Sequence, residues 1–129
     1  MSLQECGLNI NHSKKELKPQ GTLEFPCAEY ASTYTDAPRD IIPWHWHEEL
    51  EIVYINKGTL KLQIPSITYL MNAGDCAVIN TNILHYAVAV HSCELHSLVF
   101  SSSVITGSIS SAFIKNICNR YCHVHHLLA

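Results

Sequence analysis

Apolar residues arrive in short bursts along this chain. From Leu23 onward they recur about every eight to twelve residues, separated by turn-forming residues, which is the pattern of an all-β domain. The runs are Phe25 to Tyr34, Asp40 to Trp44, Trp46 to Asn56, Leu60 to Ile64, Ile67 to Leu70, Cys76 to Ile79, His85 to Val90 and Cys93 to Phe100. Leu60, Leu62 and Ile64 alternate with Lys61 and Gln63, so that strand has one wet face and belongs at a sheet edge or on an outer surface. Asn56-Lys57-Gly58, Pro65-Ser66, Asn72-Ala73-Gly74-Asp75 and Asn80-Thr81-Asn82 separate the runs and favour tight turns or left-handed backbone. Strands this closely spaced close into a sandwich or barrel.

Two parts of the chain depart from this rhythm. Residues 1–21 carry no sustained period and read as a loosely held N-terminal arm from which little function is expected; residues 22–103 form the barrel. After Phe100, Ser101 to Ser103 and Gly107 loosen the chain, and Ile109, Phe113, Ile114, Ile117 and Tyr121 then recur at helical spacing. This predicts a short C-terminal helix from about Ser110 to Cys122 within a helical segment 104–129. Its apolar stripe is core packing, a dimer surface or the start of a connection.

Length and composition narrow the class. At 129 residues, 47% apolar and 15% charged, the chain suits one packed domain with its own core. The net charge is −3 with eight Lys plus Arg, and no basic stretch stands out beyond Lys14, Lys15 and Lys18. A duplex-binding face needs concentrated positive charge to displace counterions from phosphate, so the chain by itself is not expected to bind DNA. No apolar run is long enough to span a bilayer and the first residues do not resemble a signal peptide, which points to a cytoplasmic protein without membrane partners. The six cysteines, Cys6, Cys27, Cys76, Cys93, Cys118 and Cys122, form no CxxC pair and read as small reduced residues.

The densest chemistry is in Trp44-His45-Trp46-His47-Glu48-Glu49-Leu50-Glu51. On a regular strand His45, His47 and Glu51 share one face, and Glu49 has the same parity, while Trp46, Glu48 and Leu50 share the other. Two imidazoles and a carboxylate suit a divalent metal such as zinc, iron, manganese or nickel, with a fourth group needed from another strand. His85, which opens a strand after the Asn80 to Leu84 turn, is the natural candidate. The competing reading makes His45, His47, Glu51 and His85 buried polar residues satisfied by one another, by a ligand or by water. Both readings place the functional site inside the barrel, so His45, His47, Glu49, Glu51 and His85 are the candidate effector-binding residues.

These residues resemble the cupin superfamily. Its first motif, His-x-His, three residues, Glu, six residues, Gly, matches His45, His47, Glu51 and Gly58 position for position. The second is Gly, five residues, Pro-x-Gly, two residues, His, three residues, Asn. Here it is met by Gly74 and His85, with Asn80 and Asn82 where Pro and Gly are usual and Ala89 in place of the final Asn. The resemblance implies a cupin-type double-stranded β-helix, a jelly-roll barrel, and puts all four metal-binding positions in place. The wording of His45 to Tyr54, Lys57-Gly58, Tyr69 to Asp75 and Ile79 to His85 looks most like the N-terminal domains of AraC-type transcription regulators, and the likeness runs from about Phe25 to Tyr121. That branch implies a homodimeric sensor that binds a small effector, a sugar or another metabolite, in the barrel. Its DNA contacts would come only through a C-terminal helix-turn-helix half absent from this chain. The alternative is a metal-dependent cupin enzyme, an oxygenase or isomerase, with the same four residues on the metal.

Neighbouring residues take blander roles. Trp46 is expected to pack under a covering segment or in a dimer contact, Trp44 is open, and Glu48 is solvated charge. The tail Cys118 to His126 places Cys118 and Cys122 one helical turn apart, but its spacing matches no common structural zinc pattern.

Overall fold

The structure is a computed structural model and describes residues 10–16, 20–22, 26–104 and 123–128. Among these, seven strands form one antiparallel sheet with a single parallel addition: β1 (Cys27–Thr35), β2 (Ile41–His45), β3 (Leu50–Ile64), β4 (Ile67–Asn72), β5 (Asp75–Ile79), β6 (His85–Phe100) and β7 (His123–Leu128). The path runs β1-β6-β3-β5-β7, with β2 also on β6 and β4 also on β3. The expected all-β jelly-roll barrel is therefore what the chain forms.

Two long strands carry the architecture. β3 and β6 pair with each other from Leu50 opposite Phe100 to Gln63 opposite Tyr86, and each also receives shorter strands on its other side. The sequence pattern divides each of them in two, because Asn56-Lys57-Gly58 reads as a turn and the apolar runs His85 to Val90 and Cys93 to Phe100 are separate. Both breaks are instead bends within continuous strands. Register shifts fall between Ile55 and Lys57 and between Gly58 and Leu60, so β3 advances five residues while β6 moves back six. The odd step of five reverses the parity of β3: Glu51, Val53 and Ile55 face the interior before the bend, and Leu60, Leu62 and Ile64 face it afterwards. Gly58 makes the bend at φ +78°, where a Cβ would be driven into the Ser92 carbonyl, so glycine is required on both conformational and steric grounds.

The remaining turns follow the sequence. Pro65-Ser66 closes the two-residue β3–β4 hairpin, and Gly74 (φ +91°) turns β4 into β5, its N–H donating to Ile55 O. Lys61 points outward between buried Leu60 and Leu62, as expected; that stretch of β3 is flanked by both β4 and β6, so it lies on an outer surface and not at an edge.

The main core fills the barrel with Val53, Ile55, Leu60, Leu62, Ile79 and Leu95 among others. A second cluster, Ile52, Cys76, Val78 and Phe100, lies on the outer face of β3, β5 and β6, so β5 is buried on both sides. Cys76 and Cys93 are buried and Cys27 is half-buried.

The predicted helix over 110–122 lies outside the described residues, as do Cys118 and Cys122. The end of the expected helical segment is different in kind: His123–Leu128 is a strand, running parallel to β5 with Asp75 opposite His123. No helix among the described residues is long and apolar enough to cross a membrane.

Candidate functional site

The site lies at the end of the barrel where β2 and β5 finish and β3 and β6 begin. His45 closes β2 directly opposite His85, the first residue of β6, and Glu51 is the second residue of β3. His47 sits in the link between β2 and β3, where its carbonyl accepts from the N–H of Asn82, a residue held at φ +62°. The four side chains meet, with one ligand atom from each lying within 4.8 Å of all the others. Strand parity does not bring them together as the sequence pattern suggests. Regular strand stops after His45 and resumes at Leu50, and convergence comes from the bend between.

That bend also relocates Glu49, which parity had aimed inward. Its side chain is absent from the cavity lining and its carboxylate lies 4.0 Å from Nδ1 of His47, on the side of the ring turned away from the other ligands. Its backbone carbonyl matters more, accepting from that Nδ1 at 3.0 Å.

All three rings are oriented in the same way. Nδ1 of His45 donates to Pro43 O at 2.8 Å, that of His47 to Glu49 O, and that of His85 to Ile83 O at 2.8 Å. A carbonyl only accepts, so each Nδ1 carries the proton and each neutral ring presents an Nε2 lone pair to the interior. Nε2 of His47 lies 3.1 Å and Nε2 of His85 3.3 Å from the same oxygen, Oε2 of Glu51. The other carboxylate oxygen, Oε1, accepts from the Ser97 hydroxyl.

Lone pairs thus face a carboxylate, an arrangement that is repulsive unless a cation or a proton sits among them. The donor set fits a divalent metal: three imidazole nitrogens of fixed tautomer and one carboxylate, with backbone and hydroxyl groups holding them from behind. Without metal, a proton does part of the work. Burial alone lowers the basicity of His47, but its hydrogen bond to Glu51 and that carboxylate's charge outweigh burial, and its pKa is raised. Burial likewise opposes ionisation of Glu51, yet the hydrogen bonds from His47 and His85 hold it well below the carboxylate range. His45 has no such partner; burial and the adjacent His85 lower its pKa to about 4.

Behind the cluster lies a mostly apolar cavity walled by Tyr34, Val53, Leu60, Leu62 and Leu95, with about 60 Å³ open to the centre of a water molecule. That is room for a few waters or a small organic molecule, not a large one.

The sequence pattern missed several polar groups here, Ser97, Glu16 and Gln20 among them. Ser97 belongs to the inward set Cys93, Leu95, Ser97, Val99, and a lone hydroxyl in such an alternation is a readable signal. Glu16 and Gln20 come from the aperiodic arm and gave none. The arm docks on the link between the site histidines: Trp46 N–H donates to Lys14 O at 2.9 Å and Glu16 N–H to Trp46 O at 2.8 Å. Trp46 packs beneath it as expected, its Nε1 donating to Ser13 O at 2.8 Å and its ring lying 5.4 Å from Lys15 Nζ. Glu48 is exposed but paired with Lys15 at 2.7 Å, and Trp44 stacks on Tyr86 at 5.5 Å. Glu16 then lines the cavity, in hydrogen-bond contact with Gln20, whose Oε1 accepts from Tyr30. Burial pushes the Glu16 carboxyl up; the facing His47 offsets part of this and Glu51 adds to it.

Fold and site together define a small jelly-roll barrel with a three-histidine, one-glutamate cluster at its mouth. The cupin domain family model matches residues 32–100, more than half of the chain, and the chain belongs to that family. Over 78 residues it is 37% identical to an uncharacterised HTH-type transcriptional regulator of Bacillus subtilis, YdeC. That match covers 60% of this chain and 27% of the relative, so the chain spans about a quarter of that protein's length. A cupin superfamily protein of Desulfitobacterium hafniense superposes with a TM-score of 0.57 at 6% identity, over 63% of this chain and 72% of that one. Hydroxypropylphosphonic acid epoxidase from S. wedmorenis does so at 0.52 and 18% identity, over 58% and 44%. At these identities the likeness is one of fold.

Proposed function

We propose that this cupin barrel is the ligand-sensing domain of an AraC-type HTH transcription regulator. A small effector would enter the cavity behind His45, His47, Glu51 and His85, which would also hold a divalent metal, and the domain would pair as a homodimer. The observation that carries this reading is the 37% identity to a regulator of which the barrel is only a part. The cavity, with convergent polar groups over an apolar wall, supports it as a small-molecule site.

Mechanistically, the residues do two jobs. Carbonyls of Pro43, Glu49 and Ile83 fix the imidazole tautomers, and Ser97 fixes Glu51, so the polar end of the cavity is organised before anything binds. A bound metal would supply a fixed positive charge able to take an oxygen or nitrogen of the effector. A ligand changes output only if it binds one conformational state better than another. The link between His45 and Glu51, which touches both the site and the arm, is the segment where such states would differ.

Thermal melting against divalent metals and a panel of small sugars and acids tests the reading. A rise of several degrees, lost in Glu51→Ala, is the expected outcome; no rise for any compound contradicts it. A second reading, a metal-dependent enzyme, draws on the same four ligands, since a metal they held would keep open positions for substrate. Turnover of a small substrate that requires metal would favour it over the sensor.

A further inference from the structure

We infer that Glu16, delivered by the N-terminal arm, is an outer partner of the cation site, supplying the second carboxylate that balances the charge of a divalent ion held by His45, His47, Glu51 and His85. The inference rests on the metal reading of that cluster and extends it to a part of the chain outside the cupin motifs.

Three observations carry it. First, Glu16 lines the same cavity as the four residues and lies outside the group whose ligand atoms are within 4.8 Å of one another, near enough for the charges of His47 and Glu51 to act on it. Second, its position is built: its own N–H donates to Trp46 O, Trp46 N–H donates to Lys14 O, and its side chain contacts Gln20, which is buried and fixed by Tyr30. Trp46 lies between His45 and His47, so the arm is pinned to the two ligands it faces. Third, the charges balance. Three neutral imidazoles and Glu51 leave a divalent ion with one uncompensated positive charge beside an apolar wall, and a charge so placed is costly. With Glu16 ionised the assembly is neutral. Without an ion, two carboxylates share one small cavity and repel. Cation binding and docking of the arm should therefore favour each other.

The test uses the whole chain, Co²⁺ as probe, and the absorption of the bound ion as readout. Glu16→Gln keeps the volume and the contact with Gln20 but removes the charge; Asp36→Asn removes an exposed carboxylate that touches neither the arm nor the site. The expected result is a Co²⁺ Kd raised about tenfold or more in Glu16→Gln, the range seen when an outer partner of a metal site is lost, and unchanged in Asp36→Asn. Tryptophan emission of the metal-free variant should stay at the wild-type maximum, showing that the arm still covers Trp46. An unchanged Kd in Glu16→Gln overturns the role of Glu16 while leaving the four-residue site standing. Failure of the wild-type chain to bind Co²⁺ overturns both. If the emission of Glu16→Gln shifts, Glu16→Asp decides: recovered affinity supports the carboxylate, and affinity as weak as in Glu16→Gln overturns it.

Discussion

Glu51 is the residue on which the site turns, because one of its oxygens faces two imidazole nitrogens and the other holds Ser97. Ser97→Ala leaves Glu51 free to rotate, and metal affinity measured by calorimetry should fall about tenfold to a hundredfold with the fold intact. A metal held there would compete with a proton for the same place. Below the raised pKa of His47 each binding event must displace a proton, so affinity should fall as pH falls through that value, with the released protons visible as a buffer-dependent binding enthalpy. His45 acts with the opposite sign to His47 on the stability of the metal-free chain. Its pKa is about 4 when folded and near 6.5 when unfolded, so between these values the unfolded state binds more protons. Stability from this group is complete above about pH 6.5 and declines by up to roughly 3 kcal/mol as pH drops to 4. Urea unfolding across that range should show the decline in the wild type, and His45→Gln should lose this part of the slope.

Elements carry the lesson about legibility. Ends and turns marked by Pro65-Ser66 and Asn72 to Asp75 were readable because those residues restrict the backbone locally. The long strands were not, since Asn56-Lys57-Gly58 carries turn residues and only the partner strand shows that the chain bends and goes on. A consequence follows for Gly58: Gly58→Ala introduces a methyl into the Ser92 carbonyl at positive φ, and the loss of stability should exceed the roughly 1 kcal/mol usual for replacing a left-handed glycine. A chemical denaturation midpoint equal to wild type would mean that the bend is not required. The four ligands were legible as a motif, although strand parity gave the wrong reason for their meeting and the wrong role for Glu49. Glu16 and Gln20 were invisible because an aperiodic arm gives no sign of where it docks.

For the whole molecule, the barrel is a paired strand framework with irregular segments gathered at the site: the link from Trp46 to Glu49, the Asn80 to Leu84 turn and the arm across the link. The central claim is that occupancy of the cavity governs a DNA-binding partner domain. Its most direct test is operator binding by the intact protein, the chain expressed with whatever its gene encodes after Ala129, in the presence and absence of the metal or metabolite that raises its melting temperature. The account predicts an operator affinity that changes at least several-fold with ligand and a Glu51→Ala variant that no longer responds. Operator affinity that is identical with and without ligand, or no operator binding under any condition, would contradict it.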